Sequence, residues 1–164
     1  MDNVLILWAV WIISHCPVIE FNGRPLLIGD GIKVSKEGRK MAAVKSLHQS
    51  SNNNSKKGSI SGHHFGFVGL LIGSAKKAFC IPLQGEIQEG VNELHLSKGL
   101  NGGSPTLVTR MARLLIAKAK SIGRCSYAVV DAYFAVGSTF LILKEELNEN
   151  KEQWVHLQCC FWHE

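Results

Sequence analysis

Hydrophobic positions fall into blocks along this chain. The first is an unbroken apolar run of ten residues, Val4 to Ile13. A membrane-crossing helix needs about 20 such residues. A secretory signal needs positive charge before the run and a small-residue cleavage site after it. Here Asp2 precedes the run and Ser14-His15-Cys16-Pro17 follows it. The pattern therefore predicts a buried segment of a larger protein, with further chain upstream. Residues 1–22 are read as a partial N-terminal helical segment, and no membrane partner is expected.

Gly23-Arg24-Pro25 reads as a turn, and Leu26–Val34 as a short, apolar, glycine-punctuated strand. Phe65–Ile72 and Ala78–Leu83 read as two further strands. The polar stretch Gly73 to Lys77 between them makes a hairpin. Leu96–Ser104 reads as a flexible loop. Ser104 is placed to cap a helix that has Pro105 as its first residue. Leu107, Val108, Met111, Leu114, Leu115 and Ile122 share one helical face, and Gly123 ends the helix. Cys125–Asp131 reads as a strand, Gly137 to about Asn148 as a helix, and Trp154–Leu157 as the start of another strand. The order is strand, hairpin, helix, strand, helix, strand. That order predicts a mixed α/β fold with antiparallel and parallel parts.

The chain has 164 residues, enough for one domain or a large part of one. Its formal charge is +5, which permits an anionic partner. The charge is concentrated. Between Lys33 and Lys57 there are seven basic residues and one acid, Glu37, a net of +6. Within it, the Ser/Asn-rich Gln49–Ser61 reads as a mobile loop. A solvated surface loop explains such a run as readily as a binding surface. The five cysteines form no C-x-x-C pair. They read as reduced thiols of a cytosolic protein rather than a zinc ribbon or a disulfide framework.

Two carboxylates stand out, Asp30 inside an apolar strand and Asp131 at the end of one. A buried carboxylate must be paired, hydrogen-bonded or metal-bound. On neighbouring strands the two would lie about 4.8 Å apart along the backbone, within reach of one divalent ion. Hard oxygen ligands suit Mg²⁺ or Mn²⁺. The alternative is a pair of strand-end carboxylates that accept backbone N–H bonds.

Four stretches in order carry a resemblance: RPLLIGDGIKVSKEGRKM from Arg24, VKSLHQ from Val44, GHHFG from Gly62 and AVVDAYF from Ala128. Together they resemble the DDE transposases of bacterial insertion sequences, over about Arg24 to His156. The resemblance implies a ribonuclease H-like catalytic domain with strand order 3-2-1-4-5 and flanking helices, incomplete here, over residues 23–157. It implies that Asp30 and Asp131 are the first two acidic residues of the catalytic triad and hold Mg²⁺ or Mn²⁺. The partner would be DNA, the setting the bacterial cytoplasm and its nucleoid, and the intact protein a possible homo-oligomer. Lys33, Lys36, Arg39, Lys40 and Lys45 would then contact DNA phosphates, which position DNA without reading its sequence.

The third triad member in such a domain is a glutamate on a helix after the fifth strand. Glu145, Glu146 and Glu149 precede that strand, and the tail at 158–164 departs from the family pattern. The expectation is a truncated, inactive transposase fragment. Met41-Ala42-Ala43-Val44, with alanine in place of an expected proline, and Gly58-Ser59-Ile60-Ser61 also depart from it. His63 and His64 read as structural or as substrate contacts. A zinc site at the pair is disfavoured, because adjacent strand residues point to opposite faces. The alternative for the whole chain is a non-catalytic basic α/β DNA-binding module.

Overall fold

The structure, a computed structural model, describes residues 2–38, 41–48, 58–88, 106–150 and 155–159. It is an α/β fold. Its elements are α1 (Asp2–His15), β1 (Glu20–Phe21), β2 (Arg24–Ser35), β3 (Lys45–His48), β4 (Ser59–Ser74), β5 (Lys77–Ile87), α2 (Leu107–Ile122), β6 (Ser126–Val130), α3 (Gly137–Asn150) and β7 (Val155–Cys159). The chain divides into two compact units: Met1–Asp30 with Phe67–Gly85 and Val108–Glu164, and Gly31–Gly66 with Glu86–Leu107.

In the first unit the sheet runs β5-β4-β2-β6-β7, with β1 antiparallel on β2. β2 and β6 are parallel, as are β6 and β7. β4 and β5 form a hairpin around Ala75 and Lys76. Gly73, in the left-handed region at φ 106°, precedes the turn, and a β-carbon there would collide with the Lys77 carbonyl. Period-two alternation sends Leu27 and Gly29 of β2, and Ala128 and Val130 of β6, inward. α2 lies on that face. A β-carbon on Gly29 would come within 3.0–3.2 Å of Met111 Sδ, Val130 and Leu115. Glycine thus lets the helix approach the strand just before Asp30. Of the face the spacing predicts, Met111, Leu114, Leu115 and Ile122 are buried and Leu107 and Val108 half-buried, and Ala119 is buried with them. Gly123 ends the helix at φ 65°, its N–H bonded to the Lys120 carbonyl at 3.0 Å.

The N-terminal run forms α1, but only a stripe of it is buried. Ala9 and Ile12 are inside, with Ile13 and Cys16 packed against the core. Val4, Leu7, Trp8, Val10 and Trp11 are exposed in this chain, where the expectation was a segment buried in a larger protein. With 3.6 residues per turn, a continuous apolar run faces all directions, and packing on one side covers only part of it. Trp8, Trp11 and His15 instead stack along the helix, with centroids 5.9 and 4.8 Å apart. Trp8 Nε1 donates to the Pro82 carbonyl at 3.1 Å.

In the second unit β3 pairs antiparallel with the start of β4, Lys45 opposite Gly62 and His48 opposite Ser59. Leu47 is the buried residue of β3. Four residues with one buried side chain leave almost no periodic trace, and the sequence reading contains no strand there. Ser59–Ser61, read as part of a loop, begins β4 for the same reason. Residues 49–57, the Leu96–Ser104 loop, the Ser104-Pro105 helix start, Trp154 and residues 160–164 lie outside the described residues. Among the described residues no helix is long and apolar enough to cross a membrane.

Candidate metal site and basic segment

The pairing of β2 with β6 runs Leu26↔Tyr127, Leu27↔Ala128, Ile28↔Val129 and Gly29↔Val130. One further step brings Asp30 to Asp131. The two strands are parallel; Asp131 follows the C-terminal end of β6, where open α/β sheets receive ligands, and Asp30 stands beside it within β2, which runs on to Ser35. Burial alternates in step on the two strands, and both aspartates are exposed. This corrects the expectation that Asp30 is a buried carboxylate. In β2 alternation turns it away from the α2 face, and β6 has already ended at Val130.

Asp131 opens a turn. Its carbonyl and its Oδ1 both accept the Phe134 N–H, at 3.2 and 3.3 Å. That fixes the carboxylate and leaves Oδ2 for another partner. Neighbouring strands are about 4.8 Å apart, so carboxylates at adjacent register positions repel one another unless a cation lies between them. The donor set is all-oxygen and fits one hard divalent ion. Glu145 on α3 is exposed, and the side chains of Glu146 and Glu149 and all of Glu164 lie outside the described residues. Among the described residues, no group of three histidine, cysteine or acidic side chains could hold a metal ion.

Cys80 of β5 reports on Asp30. Its Sγ fills the space that a β-carbon on Gly69 of β4 would need. Burial of the thiol pushes its pKa up, and the Asp30 charge adds to this. The residue as a whole is exposed, and its sulfur packs against Gly69 on one side. A raised pKa leaves less thiolate at neutral pH, and thiolate is the reactive form. Alkylation of Cys80, followed by peptide mass spectrometry, is expected to be slow in the native protein and faster in Asp30→Asn. Equal rates in the two proteins would show that the Asp30 charge does not reach the thiol.

Of the five basic residues expected to contact DNA, the described residues include Lys33, Lys36 and Lys45. Arg39 and Lys40 lie outside them. Lys33 is exposed on β2 and donates to the His48 carbonyl. The Lys36 backbone N–H donates to the Ser61 carbonyl of β4 at 2.9 Å, one residue past the end of β2. Lys45 is exposed on β3. His63 and His64 are both buried. His63 Nε2 lies 2.9 Å from the Ala42 carbonyl, and its ring meets Phe65 edge-on. The His64 carbonyl accepts the Gln88 N–H at 2.7 Å.

Two residues with no part in the sequence reading emerge here. Gln88 is buried over Gly66, and among the described residues neither of its side-chain amide atoms has a hydrogen-bond partner. A lone glutamine outside any motif gave no signal. Tyr133 is exposed two residues after Asp131. The sequence contained it within AVVDAYF, but periodicity does not say which way a turn residue points. No protein-family model, no curated protein and no solved structure matches this chain.

Proposed function

We propose that this chain carries two of the three metal-binding carboxylates of a DDE-type DNA transposase catalytic domain. The observation that supports this most is the parallel pairing of β2 with β6, whose register, carried one step past Gly29↔Val130, sets Asp30 beside Asp131 at the C-terminal end of β6. Counted over the long strands, the order β5-β4-β2-β6-β7 supports a ribonuclease H-like reading, with strand order 3-2-1-4-5. Asp30 and Asp131 would hold Mg²⁺ or Mn²⁺. When bound, such an ion polarises a phosphodiester and lowers the pKa of a bound water or hydroxyl. The turn at Asp131 orients that carboxylate, and Asp30 would supply the second oxygen ligand. In the intact family the outcome is metal-dependent DNA strand cleavage and transfer. With only these two carboxylates brought together among the described residues, the site is read as inactive. The reading brings with it a DNA partner, a homo-oligomer for the intact protein, and the bacterial cytoplasm and its nucleoid as the setting.

The basic segment supplies the cations that meet DNA phosphates. For duplex DNA, each phosphate neutralised by the protein steepens the fall of log affinity with log salt by about 0.9. Lys33→Ala, Lys36→Ala and Lys45→Ala combined are expected to weaken DNA binding and make that slope shallower by up to about three times this amount. An unchanged slope would refute the assignment.

A second reading, a non-catalytic basic α/β DNA-binding module, is favoured by the Phe134 N–H bond to Asp131 Oδ1, a sufficient structural reason for an aspartate there. Divalent-ion binding that depends on Asp30 and Asp131 separates the two.

A further inference from the structure

We propose that Tyr133 is a stacking platform for an unpaired base of the DNA strand held at Asp30 and Asp131, an inference that rests on the DNA-processing reading above. After Val130 the chain makes two successive turns, Phe134 N–H to the Asp131 carbonyl at 3.2 Å and Ala135 N–H to the Ala132 carbonyl at 3.3 Å. These place Tyr133 at the tip of the connection leaving β6, with 57% of its surface exposed. The exposed ring has an aromatic support. It packs edge-on against Phe134, with centroids 5.2 Å apart and planes at 89°. Phe134 is 5% exposed and belongs to the hydrophobic core. Its carbonyl accepts a hydrogen bond from the buried Thr139 hydroxyl.

Proteins that bind single strands place exposed aromatic faces where bases can stack on them, and every base has a face to offer. A tyrosine loses little conformational freedom in doing so, having two side-chain torsions. Tyr133 meets both conditions two residues from a carboxylate of the candidate metal site. A fully paired duplex offers no free base face, so the ligand is DNA with an unpaired or frayed base close to the bound phosphodiester.

The test uses the full chain with Ca²⁺ and two DNAs. One is a fully paired duplex, and the other carries a single unpaired fluorescent adenine analogue. The native protein and Tyr133→Phe are expected to change the analogue's fluorescence in the way stacking does. Tyr133→Ala should abolish that change and bind the unpaired-base DNA about tenfold more weakly, with its affinity for the paired duplex unchanged. Tyr133 is exposed, so the alanine variant is expected to fold, and Tyr133→Leu controls for loss of bulk. Equal affinity and fluorescence for native and Tyr133→Ala protein would overturn the inference and leave the DNA reading standing. So would an equal weakening on both DNAs. No binding of either DNA by the native protein at low salt would overturn the DNA reading itself.

Discussion

Adding Mn²⁺ is expected to raise the unfolding temperature of this protein, and Asp30→Asn or Asp131→Asn is expected to abolish the rise. The register that brings Gly29 opposite Val130 brings the two aspartates side by side one step later. An ion that binds only the folded arrangement stabilises it by RT ln(1 + [L]/Kd). At tenfold the dissociation constant this amounts to about 1.4 kcal/mol. For a chain of this size each kcal/mol moves the midpoint by roughly 2–4 °C, so the shift should be about 3–6 °C. Either asparagine removes one ligand and also the mutual repulsion of the two carboxylates. Metal-free Asp131→Asn, which keeps the side-chain oxygen that accepts the Phe134 N–H, should therefore melt no lower than the native protein. A Mn²⁺ shift of equal size in both variants would place the ion elsewhere. No shift in the native protein would leave Asp131 as a turn-forming residue only.

Long elements with one buried face were the legible part of the fold. β2 was legible because it is an apolar run punctuated by glycine, and α2 because its apolar positions follow a 3.6-residue period. The β4–β5 hairpin followed from two apolar runs around a short polar turn. What escaped was β3, whose hydrogen bonds come from the beginning of β4 and leave no pattern in its own four residues. The one-sided burial of α1 escaped for the opposite reason. Ten apolar residues in a row carry no phase, so nothing in them selects Ala9 and Ile12 over Leu7 and Trp11 for the inside.

Asp30 and Asp131 were legible because a carboxylate interrupts or ends an apolar strand. Their exposure was not. Whether a strand-end residue is covered depends on the face it occupies and on where its partner strand stops. Cys80 illustrates a further limit. Its thiol and Asp30 are 50 positions apart in sequence, yet the charge of one shifts the titration of the other. That relation exists only once β2, β4 and β5 are side by side. The aromatic ring of Tyr133 likewise gained meaning only from the turn that exposes it.

Strand cleavage of DNA with Mg²⁺ or Mn²⁺ is expected to stay at background for this chain. Two carboxylates hold one hard cation, but in-line displacement at a phosphodiester uses two ions about 3.5–4 Å apart, stabilising the attacking and the leaving oxygen. Positioning the second ion calls for a further acidic ligand, and among the described residues no third side chain of that kind joins Asp30 and Asp131. The effect at stake is large. Transition-state stabilisation by metal ions and oriented ligands accounts for several kcal/mol of barrier, and each 1.4 kcal/mol is about tenfold in rate. A site able to bind but not to place both ions should thus sit orders of magnitude below a complete one. The decisive comparison is the native chain against Asp30→Ala and Asp131→Ala in a strand-cleavage assay, with protein concentration varied. Indistinguishable background rates in all three are the expected result. Robust cleavage that either substitution abolishes would mean that a third carboxylate does reach the site. First-order dependence on protein would then point to this chain's own Glu164, whereas a steeper dependence would point to an acidic residue donated by a second copy.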